Sequence, residues 1–209
     1  ISGFTGSAGT VVITLSDAGL WTDSRYFIQA EEQLAGTGIR LFKDRLPETP
    51  SISEWLGSVL KEGEKVGIDG WVNSHQEATS LRNDLKAKGL SLETMTEDIF
   101  DNIWTVRPSL PQSPVFILDE TYTGASCTEK LNRIQEAIVK NGTSAIILSA
   151  LDEIAWTLNL RGDDVHCNPL FISYLFLSEN KNTLYILEEK VTEEVRSYLK
   201  DHEVEIEDY

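Results

Sequence analysis

Hydrophobic and polar positions along this chain switch between a period near two and a period near 3.6, and the switches mark the elements. Thr10 to Leu15 (TVVITL) is a β-branched run, Ser16-Asp17-Ala18-Gly19 is turn-forming, and Leu20-Trp21-Thr22 returns, so a hairpin is expected. Asp23 is then placed to cap a helix through Tyr26, Ala30 and Leu34, stopped by Gly36 and Gly38. Ile39 to Phe42 reads as the next strand. Ser51 and Glu54 spell a capping box ahead of Ile52, Trp55, Leu56, Val59 and Leu60 at helical spacing. Lys65 to Asp69 is strand-like. Ser74 and Glu77 make a second box, followed by Ala78, Leu81 and Leu85 and a stop at Gly89.

The alternation breaks at Arg107-Pro108-Ser109-Leu110-Pro111-Gln112-Ser113-Pro114, where the prolines forbid regular structure. This reads as a linker between a domain over 1–106 and one over 107–209. Beyond it, Val115 to Leu118 is a strand. Ser126 and Glu129 form a third box before Leu131, Ile134 and Ile138, with Gly142 at the stop. Ala145 to Leu148 reads as a buried strand. Ser149 with Asp152 opens a helix through Ile154, Ala155 and Leu158, which Gly162 is expected to end. Leu170 to Leu177 and Thr183 to Leu187 are strands, and a helix near Glu193 to Lys200 and a strand near Val204 to Ile206 close the pattern.

Residues 10–42 and 170–206 share one order: hairpin, helix, strand. In the second half a strand–helix–strand–helix run precedes it. By analogy, the first domain is expected to lack roughly fifty residues at its front, and an opening on Ile1 rather than methionine agrees. The fold class is α/β, with mixed sheets covered by helices in each half.

Composition then narrows the function. The chain has 209 residues, 41% of them hydrophobic, enough for a folded core. Its formal net charge is -16, from 18 Lys plus Arg against 34 Asp plus Glu. Such a surface repels phosphate backbones and anionic lipid, so neither nucleic acid nor membrane is an expected partner. Two cysteines, Cys127 and Cys167, suit a reducing compartment better than a disulfide scaffold. No apolar run reaches the length of a membrane span, and no signal peptide opens the chain.

The chemistry on view is sparse. Asp163-Asp164-Val165-His166-Cys167-Asn168 is dense in possible ligands but lacks the spacing of a metal site, and a polar loop after a helix accounts for it. Gly3-Phe4-Thr5-Gly6-Ser7-Ala8-Gly9 leads into a strand and has no lysine, so it matches neither phosphate-binding glycine pattern. A close backbone approach explains it better. Trp21-Thr22-Asp23-Ser24-Arg25-Tyr26 falls at a strand-to-helix junction. An arginine in a first helical turn opposes the helix dipole, so Arg25 either pairs with Asp23 or another carboxylate or faces a ligand. No catalytic pair, nucleophile or metal set is complete, and the residues alone nominate no catalytic and no metal residue.

Three blocks resemble a known family. ISGFTGSAGT (Ile1 to Thr10) with LWTDSRYFIQA (Leu20 to Ala30) resembles the first domain of cytosolic three-domain Xaa-Pro aminopeptidases. LDEIAWTLNLRGDDVHCNPLFISY (Leu151 to Tyr174) resembles their second domain, and DNIWTVRP (Asp101 to Pro108) their interdomain join. The resemblance implies two creatinase-like N-terminal domains in front of a pita-bread catalytic domain that lies outside this chain. That domain would carry two divalent metals, usually manganese, and remove the first residue of peptides whose second is proline. It further implies a cytoplasmic parent enzyme, a front segment before Ile1, a peptide substrate, a possible homodimer and a substrate-proximal Arg25. This segment would be inactive alone, shaping substrate access and subunit contacts. Ser24 stands where the family often has glycine, and Thr5 where aspartate also occurs. Two other readings are a stand-alone scaffold module of creatinase-like fold and a creatinase or prolidase relative with another substrate.

Overall fold

The computed structural model describes residues 2–98, 100 and 103–209. Ile1 of the opening block, and Asp101 and Asn102 of the join block, lie outside the described residues. The chain divides into two compact units, Ile1–Arg107 and Pro108–Tyr209.

In the first unit β1 (Thr10–Ile13) and β2 (Ala18–Thr22) form the expected hairpin, α1 (Phe27–Leu34) follows, and β3 (Arg40–Lys43) lies parallel to β2. The sheet order is β1-β2-β3. Alternation of side chains gives the sheet two faces. Leu20, Val11 and Leu41 meet Ala30 and Leu34 of α1. Trp21 and Phe42 on the other face meet Trp55 and Leu56 of α2 (Ile52–Val59). The Trp21 and Phe42 rings stack at 4.0 Å, and Trp55 meets Trp21 edge-on at 5.3 Å. β4 (Lys65–Asp69), α3 (His75–Lys86) and β5 (Ser91–Met95) complete the unit, β4 and β5 pairing in parallel. Both boxes close reciprocally, Ser51 with Glu54 and Ser74 with Glu77.

The second unit opens with β6 (Phe116–Ile117) and a short α4 (Glu120–Thr123), then α5 (Cys127–Lys140), β7 (Ala145–Leu148), α6 (Leu151–Leu158) and β8 (Leu160–Arg161). β9 (Tyr174–Ser178) and β10 (Asn182–Tyr185) pair antiparallel, and after α7 (Glu193–Asp201), β11 (Val204–Glu207) lies parallel to β10. The sheet order is β11-β10-β9-β7. Leu175, Leu177, Leu184 and Val204 pack with Val195 and Leu199 of α7 and with Ile154 and Leu158 of α6 in one core. Both main sheets mix parallel and antiparallel pairs, as the α/β expectation requires.

Several local expectations are corrected. Asp23 does not cap α1: its Oδ1 accepts from the Arg25 backbone N–H at 3.0 Å, closing a turn before the helix, which begins at Phe27. At α5 only the Ser126 half of the box is made, Oγ accepting from Glu129 N. Ser149 does not cap α6, whose N-cap is Ala150, without a side-chain bond. Asn159, at φ 54, ends that helix in place of Gly162. Gly162 is needed for closeness: a Cβ there would stand 2.7 Å from Cβ of Phe171. β7 is an edge strand, not a buried one, with Ile146 and Ile147 exposed. The strand β5 and the helix α4 carry too little apolar pattern to be read from sequence.

Candidate functional site

β2 and β3 run parallel, so their carboxyl ends open side by side, the position at which α/β sheets commonly receive ligands. Asp23 follows one end and Asp44 the other, tied by the Asp44 backbone N–H donating to Thr22 O at 2.9 Å. A cavity of about 520 Å³ opens there, lined by Asp23, Ser24, Arg25, Phe27, Asp44 and Arg45. A second of about 340 Å³ adjoins it and adds Ala8, Gly9, Trp21 and Ser51 to the wall.

Arg25 stands at this mouth. Its Nε and Nη2 donate to Asp23 Oδ1 and Oδ2 at 2.9 and 2.7 Å, a bidentate pair. Its guanidinium lies over the Tyr26 ring, 5.1 Å from the centroid. The side chain is nonetheless 64% exposed, and a guanidinium has more donors than the two that Asp23 takes. Hydrogen bonds from the Arg25 side chain and then its backbone N–H hold the Asp23 carboxyl down at about 2. The same pairing raises Arg25 above its ordinary value. The Tyr26 hydroxyl is bonded to Ser7 Oγ, and chiefly for that reason its pKa is lowered.

The Gly3 to Gly9 loop is the back wall. Thr22 Oγ1 donates to Ala8 O at 2.6 Å, and Thr5 is held by Gln29 and Gln33 of α1. The Phe4 ring folds across Gly6, where a Cβ would collide with it, and meets Tyr26 edge-on at 5.9 Å. Small residues are thus needed to bring the loop down onto its own aromatic ring. Asp44 and Arg45 were not nominated from sequence. Their signal was position: a charged pair immediately after the strand that a helix connects in parallel to β2.

The Asp163 to Asn168 cluster does not converge. Asp164 is buried, its Oδ2 accepting from Lys190 Nζ and from Ile172 N, the latter at 2.6 Å. Asp163, His166 and Cys167 are exposed on a loop closed by a Val165–Asn168 bridge. Among the described residues no three His, Cys, Asp or Glu side chains gather as a metal ion would need, and no helix is long and apolar enough to cross a membrane.

Comparison with known proteins places the whole chain. Residues 1–99 and 106–209 each match a family model described as Creatinase/Prolidase N-terminal domain. The chain belongs to the creatinase/prolidase N-terminal domain family. Within it, the chain is 43% identical over its full length to the probable Xaa-Pro aminopeptidase P of Sordaria macrospora, covering 34% of that protein. It is 42% identical, again over its full length, to aminopeptidase P2 of Arabidopsis thaliana, covering 30% of it. The X-prolyl aminopeptidase of Caenorhabditis elegans, a cytosolic enzyme with a di-nuclear active site, superimposes with TM-score 0.93 at 35% identity, over all of this chain and 34% of that one. The chain therefore spans about a third of the length of the relatives it matches. The residues described offer no donor set for a di-nuclear centre, so no metal step is assigned to them.

Proposed function

We propose that this chain is the N-terminal, non-catalytic part of a metal-dependent Xaa-Pro aminopeptidase, which removes the first residue from peptides with proline second. The observation that carries the reading is the match along the full chain, at 43% identity, to a probable Xaa-Pro aminopeptidase P. The parent enzyme is cytoplasmic, its two metals, manganese by family resemblance, are bound by residues outside this chain, and it pairs as a homodimer. Residues 1–106 and 107–209 act as two domains that narrow access to the catalytic domain and take part in subunit contacts.

Within that role Arg25 is the substrate-proximal residue. Asp23 holds the guanidinium in one plane at the cavity mouth, and its free donors suit a peptide carbonyl or carboxylate. Ordering by Asp23 reduces the side-chain entropy that contact with a peptide would otherwise cost.

The test uses the full-length protein with manganese. It cleaves peptides with proline second and leaves an otherwise identical peptide with alanine second intact. Failure to discriminate, or no cleavage at all, removes the reading and leaves a binding module. Arg25→Ala lowers kcat/KM by about tenfold or more with Tm unchanged within about 1 °C. A large Tm loss instead assigns Arg25 to structure.

A further inference from the structure

The sheet of the second unit has two unlike faces. Leu175, Leu177 and Leu184 turn to the side that α7 covers with Val195 and Leu199. Because side chains alternate, Tyr174, Phe176, Thr183 and Tyr185 share the other side, where Ile147 of β7 is the partner of Phe176. That side is open: Ile147 is 67% exposed, Tyr174 45% and Tyr185 37%. Thr183 is buried among them with no hydrogen-bond partner for its Oγ1. A contiguous apolar strip of this kind marks a surface that something covers.

The first unit shows how the matching face is covered there. β1-β2-β3 and β9-β10-β11 have the same order and the same strand directions. In this correspondence Trp21, paired with Phe42, matches Tyr185, paired with Glu207. The Trp21 and Phe42 face carries α2, the element that follows β3, through the Trp55 ring at 5.3 and 5.9 Å from theirs. In the second unit the chain passes β11 and brings the Tyr209 ring onto Tyr174 at 5.7 Å, so the backbone leaves the sheet beside the open face. Relatives are about three times as long as this chain.

We propose that the polypeptide following Tyr209 in the full-length protein forms an amphipathic helix seated on the Tyr174, Phe176 and Tyr185 face, as α2 sits on Trp21 and Phe42. This rests on the reading of the chain as part of a longer aminopeptidase. A second copy fits less well: Glu205, Glu207 and Asp208 rim the face, and two chains of net charge -16 would meet with like charges opposed.

The test is thiol labelling of full-length Tyr185→Cys, read peptide by peptide, with the exposed native Cys167 as internal reference. The introduced thiol reacts with maleimide about 100-fold more slowly than Cys167 in the native protein and equally fast in urea. Equal native rates overturn the proposal. Protection that disappears on dilution to monomer also overturns it and assigns the face to a second copy. If Tyr185→Cys does not fold, Tyr174→Cys is read in the same way. Hydrolysis of an Xaa-Pro peptide is assayed on the same sample. Protection without hydrolysis keeps the helix and sinks the aminopeptidase reading; hydrolysis without protection does the reverse.

Discussion

The hairpin–helix–strand of the first unit and that of the second are built to one plan and filled differently. Leu20 between Val11 and Leu41 corresponds to Leu184 between Leu175 and Ile206, and each leucine is buried under the crossover helix. Even the edge ion pair repeats, its central-strand-side member three residues before the matched leucine. Asp17 meets Arg40 at 2.7 Å, and Lys181 meets Glu205 at 3.0 Å with the charges exchanged. What differs is the end of the central strand. Thr22 and Ile186 match and are both buried; beyond them β2 runs out into Asp23-Ser24-Arg25 at a cavity, while β10 runs into Leu187 and a short 3-10 turn, Glu188–Lys190. The shared frame serves folding, and the divergent strand end is where function is to be sought.

The largest expected effects test how each unit fills its interior. The second relies on a buried ion pair, Asp164 with Lys190, both side chains fully inaccessible. Asp164→Ala strands the lysine charge and is expected to cost about 3–5 kcal/mol in urea unfolding, while adding Lys190→Met recovers much of the loss. A cost under about 1 kcal/mol would show that the pair is dispensable. The first unit relies on stacked aromatics, and Trp55→Ala there should cost about 3–5 kcal/mol. Trp55→Phe should cost much less, because it also removes an indole N–H that is buried without a partner. If Trp55→Phe proves as damaging as Trp55→Ala, the indole's shape, not its burial, holds α2.

These contrasts were only partly legible in the letters. The hairpins, the boxes at Ser51 and Ser74, and the helices around Trp55 and Leu131 followed from period and caps, which are local signals. The repeat was visible as pattern, since apolar spacing survives where residues do not. The Ser149 and Gly162 assignments failed because cap and stop depend on backbone angles: Ala150 and Asn159 took those roles, and Gly162 answers to Phe171 across a loop. The exposure of β7 was hidden for a related reason, since an apolar run does not say whether a strand lies at an edge. At the site, Arg25 stood out because it was expected in a first helical turn, although the helix begins only at Phe27, whereas Asp44 and Arg45 needed the parallel pairing of β2 and β3 before they could be placed beside it.

Smaller effects sharpen the exchanged ion pairs. All four side chains are well exposed, so Arg40→Glu alone should lower Tm by no more than about 2 °C, and adding Asp17→Lys should restore most of it. Glu205→Lys should cost less than Arg40→Glu, because Arg40 also lies over the Phe42 and Trp55 rings at 5.4 and 5.8 Å. The charge-dependent part of both effects should vanish in 1 M salt, where the Debye length falls to about 3 Å. Equal effects at the two sites, persisting in salt, would mean that ring stacking contributes nothing measurable.

The least effect on stability, and the most informative on function, belongs to Asp23. Its carboxyl titrates at about 2 when folded, below an unfolded value near 3.8. The folded state therefore favours the charged form. Its contribution is complete above the unfolded value, declines as the pH falls through about 2, and is constant from pH 5 to pH 8. The pH dependence of stability near neutral pH should accordingly be blind to this pair, and a carboxyl-detected NMR titration is the measurement that sees it. In Arg25→Ala the side-chain hydrogen bond, the first cause of the lowering, is gone, and the Asp23 titration should move up toward the ordinary carboxylate range. An Asp23 that still titrates near 2 in that variant would place its stabilisation in the backbone turn, leaving Arg25 unanchored.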